Sequence, residues 1–160
     1  MMAVVKLTAK DSIPDITINS IFVRESENGR MKMELTAPKM ISFQRNDAYT
    51  EFPNGLKVIF YDSLRQPESE LTANYGISWD NKRLLQARGN VVVKNFKKRE
   101  ELTTETLNWD QNIKKVSTTD FVKITTPDKT ILGKGMESNE LFNNWKILNG
   151  SGVIYVDEKE

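Results

Sequence analysis

Apolar and polar residues alternate with period two over much of this chain. Between Leu71 and Asp80 the odd positions are Leu71, Ala73, Tyr75, Ile77 and Trp79, and the even ones are Thr72, Asn74, Gly76, Ser78 and Asp80. Such alternation marks a strand with one face turned to a core. An earlier stretch does the same: Met31, Met33, Leu35 and Ala37 are interleaved with Arg30, Lys32, Glu34 and Thr36, until Pro38 interrupts. A proline at that point suits an edge position or a corner. No window sustains a helical i, i+3, i+4, i+7 apolar pattern, and Thr, Val, Ile and aromatic residues recur throughout. The pattern therefore predicts an all-β chain, one long run of antiparallel strands with each hairpin stacked on the last.

Turn residues agree. Asn28-Gly29 sits between Ile21-Phe22-Val23 and the Met31 strand, and Asn54-Gly55 separates Phe52 from Val58-Ile59-Phe60. Both read as hairpin signals, because Asn-Gly accepts the positive φ angles of a tight reversal. Shorter turns are expected at Asp80 to Lys82, Asp110 to Asn112, Pro127-Asp128 and Asn149-Gly150.

The strands also repeat. A Glu-Leu-Thr unit occurs at Glu34 to Thr36, Glu70 to Thr72 and Glu101 to Thr103, with 36 and then 31 residues between successive leucines. The second and third copies continue to Trp79-Asp80 and Trp109-Asp110. A period near 30 residues implies stacked or coiled strands. In the third copy Leu102 precedes Trp109 by seven residues, so regular pleating would put them on opposite faces, and a bulge or break is predicted between Thr103 and Leu107.

Composition narrows the function. The 160 residues suit one domain, expected over residues 14–157, with residues 1–13 read as a remnant left after a missing membrane anchor. Lys plus Arg outnumber Asp plus Glu by one (23 against 22), so the charge footprint of a nucleic-acid binder is missing. The one basic cluster, Lys94, Lys97, Lys98 and Arg99, runs straight into Glu100 and Glu101 and reads as a solvated turn. With no His and no Cys, thiol nucleophiles, imidazole bases, the usual zinc sites and disulfides are all absent. Carboxylates remain at Glu100, Glu101 and Glu105, and at Asp80 and Asp110. Each of those two aspartates follows a Trp where a turn wants it, so no enzyme, metal or cofactor is expected. No apolar run approaches the roughly 18 to 20 residues that span a bilayer.

Taken in order, four segments carry a resemblance. They are Ala87-Arg88-Gly89-Asn90-Val91-Val92-Val93, Leu102 to Asp110, Val116-Ser117-Thr118-Thr119 and Gly133-Lys134-Gly135-Met136. The series resembles the repeat of the OstA-like lipopolysaccharide-transport domains. The opening, Pro14-Asp15 followed by a strand, Asn28-Gly29 and Met31 to Ala37, is similar to the LptC family within them. The resemblance implies a twisted, open β-jelly-roll without enzymatic activity, whose interior holds the acyl chains of lipopolysaccharide. It implies a periplasmic protein anchored in the inner membrane. The lipid would arrive from an inner-membrane ABC transporter at the N-terminal edge and leave at the C-terminal edge onto an LptA-like jelly-roll.

Within that picture Met31, Met33, Leu35, Tyr75, Ile77 and Trp79 are the expected trough lining, extended by Val91, Val93, Ile124 and Met136. Read without the resemblance, such alternation more often forms a closed core. Partner edges are expected at Ile16, Ile18, Ile21 and Val23 and at Val153, Ile154, Tyr155 and Val156, because an unpaired strand can accept another chain. The alternatives are a lipid-free scaffold that assembles through its sheet edges, a soluble LptA-like bridge, and a β-solenoid that stacks sugars on Trp79 and Trp109.

Overall fold

The computed structural model describes residues 14–44, 47–149 and 154–156. Strand β1 (Ile16–Glu27) turns through Asn28-Gly29 into β2 (Arg30–Phe43). Both turn residues have positive φ, 55° and 78°, as the predicted tight hairpin requires. Then come β3 (Tyr49–Phe52), β4 (Leu56–Tyr61), β5 (Pro67–Ala73), β6 (Tyr75–Trp79) and a 3-10 turn at Asp80–Lys82. The long strands β7 (Leu84–Asn95), β8 (Glu100–Asp110), β9 (Lys115–Thr125) and β10 (Lys129–Asn139) follow, and β11 (Trp145–Asn149) and β12 (Ile154–Val156) end the described chain. All pairings are antiparallel.

Asn54-Gly55 does not make the predicted hairpin. Both β3 and β4 pair with β2, Ile41 opposite Glu51 and Thr36 opposite Lys57, so the chain keeps its direction through Pro53-Asn54-Gly55. Gly55, at φ 98°, supplies its left-handed geometry to a jog in one long strand rather than to a reversal. In the same way β5 and β6 lie end to end against β7, with a bend at Asn74. The topology is thus a meander of long strands, each beside its neighbours in sequence.

Irregularities line up across that meander. Ser20, at φ 60°, lies between the pairs Asn19 to Lys39 and Ile21 to Ala37, opposite Pro38. Next to them are the jogs at Gly55 and Asn74. Then come Gly89-Asn90 in β7, the slip between Thr104 and Asn108 in β8, and Gly135 in β10. The β8 slip is the bulge predicted from the spacing of Leu102 and Trp109, and it brings both inside, at 0% and 2% exposure. Along this crease the sheet folds over on itself. One layer holds β4, β5 and β12 with the adjoining halves of the long strands; the other holds β3, β6 and β11 with the remaining halves. Their inner faces meet where the Phe60 ring abuts Trp109 edge-on, 5.1 Å between centroids.

Most of the other expected turns are present, Asn112 N–H donating to Asp110 Oδ1 at 3.0 Å and Asp128 N–H to Thr126 Oγ1 at 3.2 Å. The Asn149-Gly150 turn extends beyond the described residues. The basic cluster is less free than its composition suggested: Lys97 binds Asp62 and Glu68, and Lys98 donates to the Asn143 carbonyl.

Candidate functional site

One rung of paired residues crosses the whole first layer. Val23 pairs with Leu35, Leu35 with Val58, Val58 with Leu71 and Leu71 with Val93. Val93 then pairs with Leu102, Leu102 with Ile124, Ile124 with Ile131 and Ile131 with Ile154. Nine strands each contribute one aliphatic residue, in register from edge to edge. Because i and i+2 share a face, the neighbouring rungs extend the surface: Met33 lies opposite Phe60, and Val91 opposite Thr104. In the second layer the facing rung runs through Leu85, Trp109 and Val116, and Met136 pairs with Ile147 nearer the crease.

The middle of this interior is filled. Val58, Leu102, Ile124, Met136 and Phe142 have no exposed surface. At the N-terminal edge it opens: Ile16 is 44% and Val23 39% exposed, and Ile18 and Ile21 are half-buried. Pairing with Ser42, Met40, Ala37 and Leu35 places all four on the inner face. Beside them a cleft of about 510 Å³ enters along the crease, lined by Ile21, Ala37, Leu56 and Ala73 among others. Among the described residues β1 pairs only with β2, and β12 only with β10.

Of the expected lining, Met33, Leu35, Val91, Val93, Ile124 and Met136 are buried on the inner face, and Met31 is half-buried at its rim. Tyr75, Ile77 and Trp79 are not with them. In β6 the inward residues are Gly76 and Ser78, opposite buried Phe52 and Thr50 on one side and Ala87 and Leu85 on the other. A Cβ on Gly76 would meet Leu56 Cδ2 at 2.9 Å, which is why a glycine stands there. The bend at Asn74, whose N–H donates to the Gly89 carbonyl at 2.9 Å, adds one residue between Ala73 and Gly76 and reverses the parity. Tyr75, Ile77 and Trp79 therefore lie on the outer face with Glu51, Gln86 and Arg88. Trp109 is interior and its Nε1–H donates to Glu140 at 2.8 Å, so it offers no stacking face to a sugar. Val153 lies outside the described residues.

On that outer face, burial and a hydrogen bond to Glu51, with the Glu51 charge, push the Tyr75 phenol up to about 12. An unfolded tyrosine titrates near 10, so folding favours the neutral phenol. That contribution to stability is complete below about pH 10 and is lost as pH rises through about 12. Absorbance titration of phenolate is expected to show an ionisation step near 12 that loses amplitude in Tyr75→Phe; an unchanged amplitude would refute this assignment.

Charged pairs tie the two layers together at the rim opposite the crease. Glu25 and Glu27, at the tip of the first hairpin, meet Arg83 at 4.0 Å and Lys114 at 3.4 Å. Lys32 approaches Glu140 at 3.8 Å, and Trp145 Nε1–H donates to Glu100 at 2.8 Å. Sequence periodicity did not single out Phe142, Glu140, Glu68 or Asn95, all buried at this rim.

The described residues contain no group of His, Cys, Asp or Glu arranged to hold a metal ion, and no helix long and apolar enough to cross a membrane. The family model for lipopolysaccharide-assembly proteins related to LptC matches residues 4–155. No curated protein sequence matches the chain significantly. Among solved structures it is similar to LptH of Pseudomonas aeruginosa, the LptA-homologous periplasmic component of the lipopolysaccharide transport device. The TM-score is 0.56 and the identity 11%, over 80% of this chain and 95% of that one. The likeness shows that the creased two-layer sheet is the β-jelly-roll of that structure. With the family match spanning nearly the whole chain, the protein belongs to the LptC-related family of lipopolysaccharide-assembly proteins.

Proposed function

We propose that this protein is a non-enzymatic carrier and bridge for lipopolysaccharide in the periplasm, anchored to the inner membrane in its native form. The lipid comes from an inner-membrane ABC transporter at the β1 edge, where Ile16, Ile18, Ile21 and Val23 expose the inner face. Its acyl chains follow the apolar rungs, and it passes to an LptA-like jelly-roll that pairs with the edge formed by β11 and β12, which includes Ile154, Tyr155 and Val156. The observation that carries this reading is the rung of nine aliphatic residues paired from edge to edge, open to solvent at its β1 end, where Val23 is 39% exposed. A sheet that served only as a scaffold has no need to leave its core residues 39% to 44% exposed at one edge.

Photo-crosslinking to purified lipopolysaccharide tests it, with the probe placed in turn at Ile21 and at its outward neighbour Phe22. An adduct at Ile21 and none at Phe22 is the expected result. Adducts at neither position in folded protein would leave the lipid-free scaffold as the better description.

A further inference from the structure

The connection between β10 and β11, Glu140 to Asn144, does not run over the surface as loops do. It crosses the rim into the gap between the layers, and Phe142 at its tip is fully buried, 6.2 Å from Trp145 between ring centroids. Phe142 holds a φ of 51°, a left-handed conformation that a bulky residue rarely adopts. A buried loop must satisfy its backbone, and here side chains of the opposite layer do so. Ser69 Oγ donates to the Glu140 carbonyl at 2.8 Å, Asn95 Nδ2 to the Leu141 carbonyl at 2.8 Å, and Lys98 Nζ to the Asn143 carbonyl at 2.6 Å. Asn143 Nδ2 in turn donates to Glu68 Oε2 at 2.9 Å.

Two features make this segment separable from the sheet. It is braced within itself: Asn139 Nδ2 donates to Asn143 Oδ1 at 2.7 Å, and Phe142 N–H to the Asn139 carbonyl at 3.1 Å. Its partners Glu68, Ser69 and Asn95, at 5%, 0% and 1% exposure, are polar residues at the rim ends of β5 and β7. Were the segment to leave, Glu68, Ser69 and Asn95 would meet water at the rim, and the one interior donor left without its acceptor would be Trp109 Nε1–H, which Glu140 satisfies in the closed arrangement.

We propose that Glu140 to Asn144 is a strap that closes the interior in the free protein and must swing out before acyl chains reach the residues deep inside. The proposal rests on the carrier reading above and adds the element that gates it. Opening exchanges Phe142 for an acyl chain against the same aliphatic rungs, so both states keep their apolar surface covered.

The chain has no cysteine, so a strap tether can be introduced cleanly. Lys98→Cys with Asn143→Cys removes the strap's bonds to Lys98 and Glu68, and a short bismaleimide between the two thiols then holds the strap down, so the same double variant is compared with and without the linker. Photo-probes at Met136, fully buried, and at Ile21, on the open edge, then report lipopolysaccharide separately. The expected result is a loss of at least fivefold in adduct yield at Met136 on tethering, with the Ile21 yield unchanged. Equal Met136 yields with and without the tether would overturn the strap while leaving the carrier reading intact. Adducts at neither position in the untethered protein would overturn both.

Discussion

Trp109→Ala is expected to destabilise the fold by about 5 kcal/mol. Removing a buried indole costs about 3 to 5 kcal/mol through lost transfer energy and the cavity left behind. This ring also packs edge-on against Phe60, in the opposite layer. Its Nε1–H is a partner of Glu140, whose side chain is only 8% exposed, and removing a donor from a buried carboxylate adds about 1 to 3 kcal/mol. Domains of this size are held by about 5 to 15 kcal/mol, so the variant should approach the limit of cooperative folding. Trp109→Phe keeps most of the packing and loses only the hydrogen bond, so it should recover most of the deficit. Urea unfolding followed by circular dichroism separates the two; a Trp109→Ala variant within 1 kcal/mol of the parent would contradict the interlayer role given to this residue.

Gly55→Val should cost about 3 kcal/mol or more, although no side chain is removed. At φ 98° a side chain is strained whatever room it has, and here the new Cβ would sit 2.8 Å from the Ala73 carbonyl oxygen, a backbone atom that cannot turn aside. Gly29→Ala is the matched control. Gly29 also has positive φ, at 78°, but a Cβ there meets nothing within 4 Å, so only the conformational cost remains, about 1 kcal/mol. A larger loss at Gly55 than at Gly29, read as a shift in the urea midpoint, is the expected order. The reverse order would mean that the jog between β3 and β4 gives way without resistance.

The sequence was legible wherever a strand stayed on one side of the crease. Alternation through Met33 and Leu35 put both on the face the structure buries, because that run crosses no irregularity. It failed for Tyr75, Ile77 and Trp79 because the single extra residue at Asn74 leaves the apolar pattern looking unbroken while the backbone shifts by one. The same kind of slip was visible in β8 only because Leu102 and Trp109 stand an odd number of residues apart. Gly76, between Tyr75 and Ile77 in β6, was the available warning, since a glycine inside a strand signals a close approach. Asn54-Gly55 misled for a related reason: the dipeptide fixes a local backbone geometry, and the pairing of the flanking strands with β2 decides whether the geometry reverses the chain. The strap carried no periodic signal at all. Asn139 to Asn144 has the composition of an ordinary loop, and nothing local announces that Phe142 belongs inside.

The meander also bears on how the chain reaches this structure. Taken with β3–β4, β5–β6 and β11–β12 each as one jogged strand, every long strand lies against the one before it, so a polypeptide delivered N-terminus first has its next hydrogen-bonding partner already in place. Such growth requires only short loop closures and nucleates with little entropic loss. The contacts that must wait are those of the strap, whose hydrogen bonds reach back 71 and 75 residues to Ser69 and Glu68. Assembly therefore ends at the rim, and the last part of the molecule to settle is the part that seals it.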